Sequence, residues 1–257
     1  DNTVSMGLVG AGYHEYDKDF VFANVFTLNR DAHLFKFEKD AFDCIILDEA
    51  HHSTANVYQK VIDYFEPKLF LGMTATPDKR DDSIEGRNVY ELFDHNIAHE
   101  IRLQQAMEDD LLCPFHYFGI SDLSIVSEDE LSRKKLSDED FRNLTSDERV
   151  KLITEEAKYY GFSGERVKGL IFCSRIDESI ELSKKFNEIG YRTIALNGDS
   201  SEDERAEAFE RLAMGEKDAT DDLTPLDYIF SVDILNEGVD IVEVNQVIML
   251  RPTQSPI

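Results

Sequence analysis

Positive charge is what this sequence has least of. Over 257 residues, 27 Lys and Arg face 53 Asp and Glu, a formal charge of −26. That balance excludes a protein that grips nucleic acid with its whole surface. A local basic groove stays compatible with it, because a net charge is a sum and a binding site is a place. Cysteine is scarce too: Cys44, Cys113 and Cys173 lie far apart in apolar company, and no CxxC pair exists. Zinc and dithiol chemistry are disfavoured, and the expectation is three small buried thiols in a reducing, cytoplasmic setting. His14, His33, His95, His99 and His116 form no metal spacing. No apolar run approaches the roughly 20 residues that span a bilayer, and no signal-peptide pattern opens the chain, so no membrane role is expected. What is present, 42% apolar and 31% charged residues, suits one large domain or two compact ones.

Short apolar runs alternate with helical periodicities. Residues 20–26 are β-branched and aromatic, as strands are. Residues 42–47 end in a continuous apolar run, which suits a strand covered on both faces. Val57, Val61, Ile62 and Phe65 recur at helical spacing, Pro67 stops that helix, and residues 68–73 read as the next strand, completing a βαβ unit. After Val150 the alternation returns, with strands at 168–173, 191–196, 227–232 and 246–250 and helices at 177–189 and 201–214. Gly190 is placed to end the first of those helices, and Ser201 with Glu204 spells a capping box for the second. Between the halves, residues 121–149 are strongly acidic and read as a solvated linker carrying some helix. The expected class is α/β: parallel-sheet domains over 1–118 and 151–257, joined by an acidic linker over 119–150.

The strongest local word is Asp48-Glu49-Ala50-His51, directly after Ile45-Ile46-Leu47. An apolar strand ending in adjacent carboxylates is how P-loop ATPases arrange their chemistry: the first holds magnesium and the second polarises water. A helix-capping Asp after a buried strand is the plainer reading of that word alone. Gly72-Met73-Thr74-Ala75-Thr76-Pro77 follows the next strand and offers two hydroxyls, with which His51 can hydrogen-bond across the sheet's carboxyl edge. Taken alone, that word also reads as a turn closed by Pro77.

In combination these words resemble motifs II and III of the superfamily 2 helicases and translocases of the DEAD/DEAH-box type. Gly169-Leu170-Ile171-Phe172-Cys173-Ser174-Arg175 resembles motif IV, and Leu196-Asn197-Gly198 is similar to the short element after it. Residues 231–240, from Ser231 through Glu237-Gly238-Val239-Asp240, look like motif V. That ending and the Arg251-Pro252-Thr253 element resemble the branch related to type III restriction-enzyme subunits. The resemblance implies two RecA-like domains with ATP and Mg2+ in the cleft between them, and nucleic acid, DNA or RNA with DNA ahead, across both. It implies Asp48 and Glu49 as metal and water carboxylates, with His51, Thr74, Ala75 and Thr76 coupling them to the strand. Gly238 and Asp240 approach the nucleotide, and Ser174, Arg175, Asn197 and Gly198 meet phosphates.

Departures from the pattern shape the expectation. Nothing reads GxxxxGK[ST], and the glycine cluster at residues 7–12 has no Lys-Ser/Thr and reads as a turn. No Gln-x-x-Gly-Arg-x-x-Arg helix precedes Ile257, and Val232 stands where many relatives carry Thr. The sequence therefore leads us to expect an internal fragment, its first RecA-like domain N-terminally truncated, with no ATPase of its own. Its unpaired apolar sheet edge would invite self-association. A helicase-like scaffold that binds nucleic acid or protein without hydrolysis stays open as the alternative.

Overall fold

The structure is a computed structural model and describes residues 4–77, 89–120, 138–220, 223–235 and 241–250. It divides into two compact units, Asp1–His116 and Tyr117–Ile257.

In the first unit, β1 (Met6–Gly10) pairs antiparallel with β2 (Tyr13–His14) and parallel with β3 (Phe20–Ala23). The glycine cluster is thus a strand running into a hairpin, and only its last members turn. The aromatic run after Phe20 does not continue as a strand. Asn24 Oδ1 accepts from the N–H groups of Phe26 and Thr27 at 3.0 and 3.2 Å, which caps a short helix α1 (Val25–Leu28). Helix α2 (Asp31–Leu34) follows. Strand β4 (Cys44–Leu47) then pairs in parallel with β5 (Leu69–Gly72) across α3 (Asn56–Tyr64). The core gathers Val9, Leu28, Leu34, Phe37 and Phe65, with Phe42, Ile45 and Val61 against it. Short helices α4 (Val89–Leu92) and α5 (Leu103–Glu108) complete the unit.

Two expectations fail here. β4 is not covered on both faces: its burial alternates, and Cys44 and Ile46 point outward, Ile46 with 57% exposure. Cys44 is accordingly exposed, as is Cys113, and of the three thiols only Cys173 is buried.

The second unit is the better covered. Its four parallel strands run in the order β7 (Thr193–Leu196), β8 (Tyr228–Ser231), β6 (Gly169–Phe172), β9 (Gln246–Met249). Every residue of β6 and β8 is buried, which is why both read as unbroken apolar runs. One face packs Ile171, Phe230 and Tyr228 against helices α7 (Asp147–Tyr160) and α8 (Ile176–Glu188), through Val150, Ile153, Leu182 and Phe186. The other packs Leu170, Phe172, Leu196 and Ile229 against α9 (Glu202–Ala213), through Ala208 and Leu212. Each such side chain is worth about 1.5–3 kcal/mol when fully buried. Gly190 follows α8 at φ 99°, where a Cβ would be strained. The capping box of Ser201 and Glu204 forms as spelled. Of the acidic stretch between the halves, the described end carries helix, α6 (Asp138–Leu144) and then α7. No helix among the described residues is long and apolar enough to cross a membrane.

Candidate nucleotide and nucleic-acid sites

Backbone pairing sets the geometry of the first site. Met73 donates its N–H to the Leu47 carbonyl and accepts from the Ala50 N–H, both at 2.9 Å. Asp48 and Glu49 are looped out between those two bonds, at the carboxyl end of β4. Glu49 sits in the left-handed region (φ 48°, ψ 48°), uncommon for a residue with a side chain and frequent where function constrains the backbone. Asp48 is exposed and accepts the Glu49 N–H through Oδ1 at 3.0 Å. The chain then winds into a 3-10 turn over Ala50–His52 that buries His51.

His51 Nδ1 is the junction of the site. It lies 2.9 Å from Thr74 Oγ1, 3.5 Å from Thr76 Oγ1 and 3.2 Å from Glu49 Oε2. Thr74 Oγ1 also accepts the Thr76 N–H at 3.1 Å, so the two hydroxyl residues act as one turn. The structure thus brings Glu49, His51, Thr74 and Thr76 together. Ala75, exposed between the threonines, contributes no polar group. His52, beside the motif, places its ring 4.0 Å from that of His51, tilted by 47°. Gly72 is a participant the sequence did not single out: a Cβ there would run into the Phe93 ring and reach within 3.0 Å of Ala50 Cβ. A glycine lets β5 pass close under the carboxylate loop.

In the second unit the parallel strands deliver three loops to one carboxyl edge, the usual ligand edge of an open α/β sheet. Ser174 and Arg175 leave β6. The Arg175 guanidinium is held by Asp177, Nε to Oδ1 at 3.0 Å and Nη2 to Oδ2 at 3.1 Å. Asn197 and Gly198 leave β7. Asn197 Oδ1 accepts the Asp199 N–H at 2.8 Å, and the carbonyls of Asn197 and Gly198 take Arg205 Nη2 at 3.3 and 3.2 Å. Arg205 escaped the sequence reading because it lies inside the helix α9 pattern, eight residues from Asn197. Between these loops, at the end of β8, Asp233 adopts φ 62°. Gly238 and Asp240 lie outside the described residues.

Two family models cover most of the chain: Type III restriction enzyme, res subunit, matches residues 2–79, and Helicase conserved C-terminal domain matches residues 148–257. IRC3 of Saccharomyces cerevisiae, which carries the name of an ATP-dependent helicase, is 24% identical over 251 residues, 93% of this chain and 33% of that protein. The 51.5 kDa protein of a Lactococcus phage (isolate 7-9) is 22% identical over 213 residues, 82% of this chain and 43% of that one. The chain therefore spans less than half the length of either relative. S. cerevisiae Dbp5 bound to RNA and ADP BeF3 superposes with a TM-score of 0.52 at 14% identity, covering 95% of this chain and 54% of that one. That likeness speaks for the fold, which is RecA-like.

The chain belongs to the superfamily 2 helicases. Within them it is of the type III restriction enzyme-like branch. The family uses ATP and Mg2+, and the residues present fit the metal better than the nucleotide. Asp48 and Glu49 supply hard oxygen donors at an open sheet edge, and magnesium needs only one or two carboxylates beside its waters. Among the described residues, no group of three or more His, Cys, Asp or Glu side chains is placed to hold a metal, so a full protein cage is not on offer. The residue 7–12 glycines form a strand and hairpin rather than a strand-to-helix loop, and do not fit a phosphate cradle.

Proposed function

We propose that this superfamily 2 chain contributes the carboxylate side of an ATPase centre and one phosphate-contacting edge of a nucleic-acid motor. The observation that carries the reading is the His51 junction: a buried imidazole links the Glu49 carboxylate to two hydroxyl residues on the neighbouring strand. A solvated helix cap has no use for that linkage. In this reading Asp48 and Glu49 are the carboxylates that hold Mg2+, and the metal supplies charge for the phosphoryl oxygens. Glu49 orients the attacking water and accepts its proton at a carboxylate oxygen. His51 carries the state of Glu49 to Thr74 and Thr76, with Ala75 as the spacer between them. Ser174, Arg175, Asn197 and Gly198 contact phosphates in a sequence-blind way, so affinity falls as salt rises. Gly238 and Asp240 are assigned to the nucleotide on the motif resemblance alone.

DNA is proposed ahead of RNA because a restriction-enzyme family matches the first unit. The RNA in the Dbp5 structure belongs to a protein that shares only the fold. A non-hydrolysing scaffold is the second reading, favoured by the one misfit noted above, the hairpin where a phosphate cradle is sought. ATP turnover by the polypeptide expressed from its complete gene, with and without single- and double-stranded DNA or RNA, separates the two. Strand-stimulated turnover that vanishes in Glu49→Gln supports the motor. Strand binding with no turnover under any condition supports the scaffold.

A further inference from the structure

Helix α8 opens with a carboxylate that reaches back under its own entry loop. Glu178 is fully buried, and its Oε2 accepts the Ser174 N–H at 3.0 Å. Oε1 takes Arg149 Nη1 at 2.7 Å. Arg149, 1% exposed and within the first turn of α7, also donates from Nη1 to the Leu144 carbonyl at 2.6 Å. The end of α6, the start of α7 and the start of α8 therefore meet at one ion pair. A buried ion pair is poor evidence for stability, because desolvating both charges offsets most of their attraction. An apolar pair of similar volume often folds as well. What an apolar pair cannot do is accept the Ser174 N–H, which belongs to the loop assigned to phosphate contact.

We propose that Glu178, clamped by Arg149, is the positioning residue of the Ser174–Arg175 loop, fixing the Ser174 amide and with it the direction in which Arg175 leaves the sheet toward a nucleic-acid phosphate. The inference rests on the reading of this edge as a nucleic-acid interface. Single replacements would strand one buried charge and unfold the unit, so the test uses uncharged pairs. Arg149→Met with Glu178→Gln keeps an oxygen for the Ser174 amide. Arg149→Met with Glu178→Leu removes it.

Both are compared with wild type, in the whole chain, by hydrogen exchange at the Ser174 amide. Affinity for labelled oligothymidylate and oligouridylate is measured alongside. The Gln pair should keep slow exchange and near-wild-type affinity. The Leu pair should keep its circular dichroism, exchange fast at that amide and bind about tenfold more weakly, the change that one lost hydrogen bond to a charged acceptor brings. Equal protection in all three proteins, or lost protection with unchanged affinity, overturns the assignment. A wild type that binds neither strand overturns the nucleic-acid reading itself and the role with it, and the exchange data then still report whether Glu178 holds the loop.

Discussion

Replacing Arg166 with lysine keeps the charge and removes the fork. The guanidinium donates from Nη1 to the carbonyls of Val167 at 3.0 Å and Leu226 at 2.6 Å. From Nη2 it reaches Leu212 and Met214, both at 2.6 Å, and Nε adds a bond to Met214 at 3.1 Å. Leu212 and Met214 carry end-of-helix carbonyls of α9, which have no partner within the helix. Only 11% of the Arg166 side chain is exposed, and burial lowers its pKa, yet a guanidinium stays charged at neutral pH. The loss in Arg166→Lys is therefore one of geometry. An ammonium reaches one or two of the four carbonyls, so two or three of them lose their partner. At about 0.5–1.5 kcal/mol net for each, the second unit loses about 2–3 kcal/mol. With a urea slope of about 1–3 kcal/mol per molar, its midpoint falls by about 0.7–3 M. Urea titration followed by far-UV circular dichroism reads this directly, with Arg166→Met as the comparison that removes the charge as well. A lysine variant within about 0.5 kcal/mol of wild type, the usual spread of neutral surface changes, would refute the claim that the fork closes α9.

Two further changes probe the same unit. Gly169→Ala drives a methyl into the ring of Tyr228, which is packed on Phe186 and Tyr191 and bonded through its hydroxyl to Gln246 at 2.6 Å. Overpacking of this kind costs about 1–3 kcal/mol, so thermal melts should shift downward, and an unchanged melting temperature would count against the packing account. The Glu204 carboxyl is held below its ordinary pKa by the Ser201 N–H and then by the Ser201 hydroxyl. A lowered carboxylate stabilises the fold above its unfolded value and loses that contribution as pH falls through the lowered one. The melting-temperature gap between wild type and Glu204→Gln should therefore close on acidification, and a gap that widens would reverse the sign.

The parallel sheet of the second unit was legible in the sequence because burial on both faces leaves continuous apolar words. Its strand starts were less so: β7 begins at Thr193 rather than Tyr191, since Arg192 is tied to Asp227 by paired backbone and side-chain bonds. In the first unit, Asn24 ended a strand that propensity alone would have continued. The motif words named Glu49, His51, Thr74 and Thr76 together, and the structure brings those four into contact because each word directly follows one of two paired strands. Arg205 and the Arg149–Glu178 pair were hidden for the opposite reason. Their partners lie eight and twenty-nine residues away, brought close by packing that leaves no periodic trace.

His51 offers a single ring nitrogen to three oxygens, and a nitrogen holds either one proton or one lone pair. If Nδ1 carries the proton, it serves the Glu49 carboxylate or a threonine oxygen, never all at full strength. If it carries the lone pair, the Thr74 hydroxyl can donate to it, and an ionised Glu49 at 3.2 Å is repelled. The imidazole is thus a seat for one occupant, and whatever draws Glu49 away vacates it for the strand beside it.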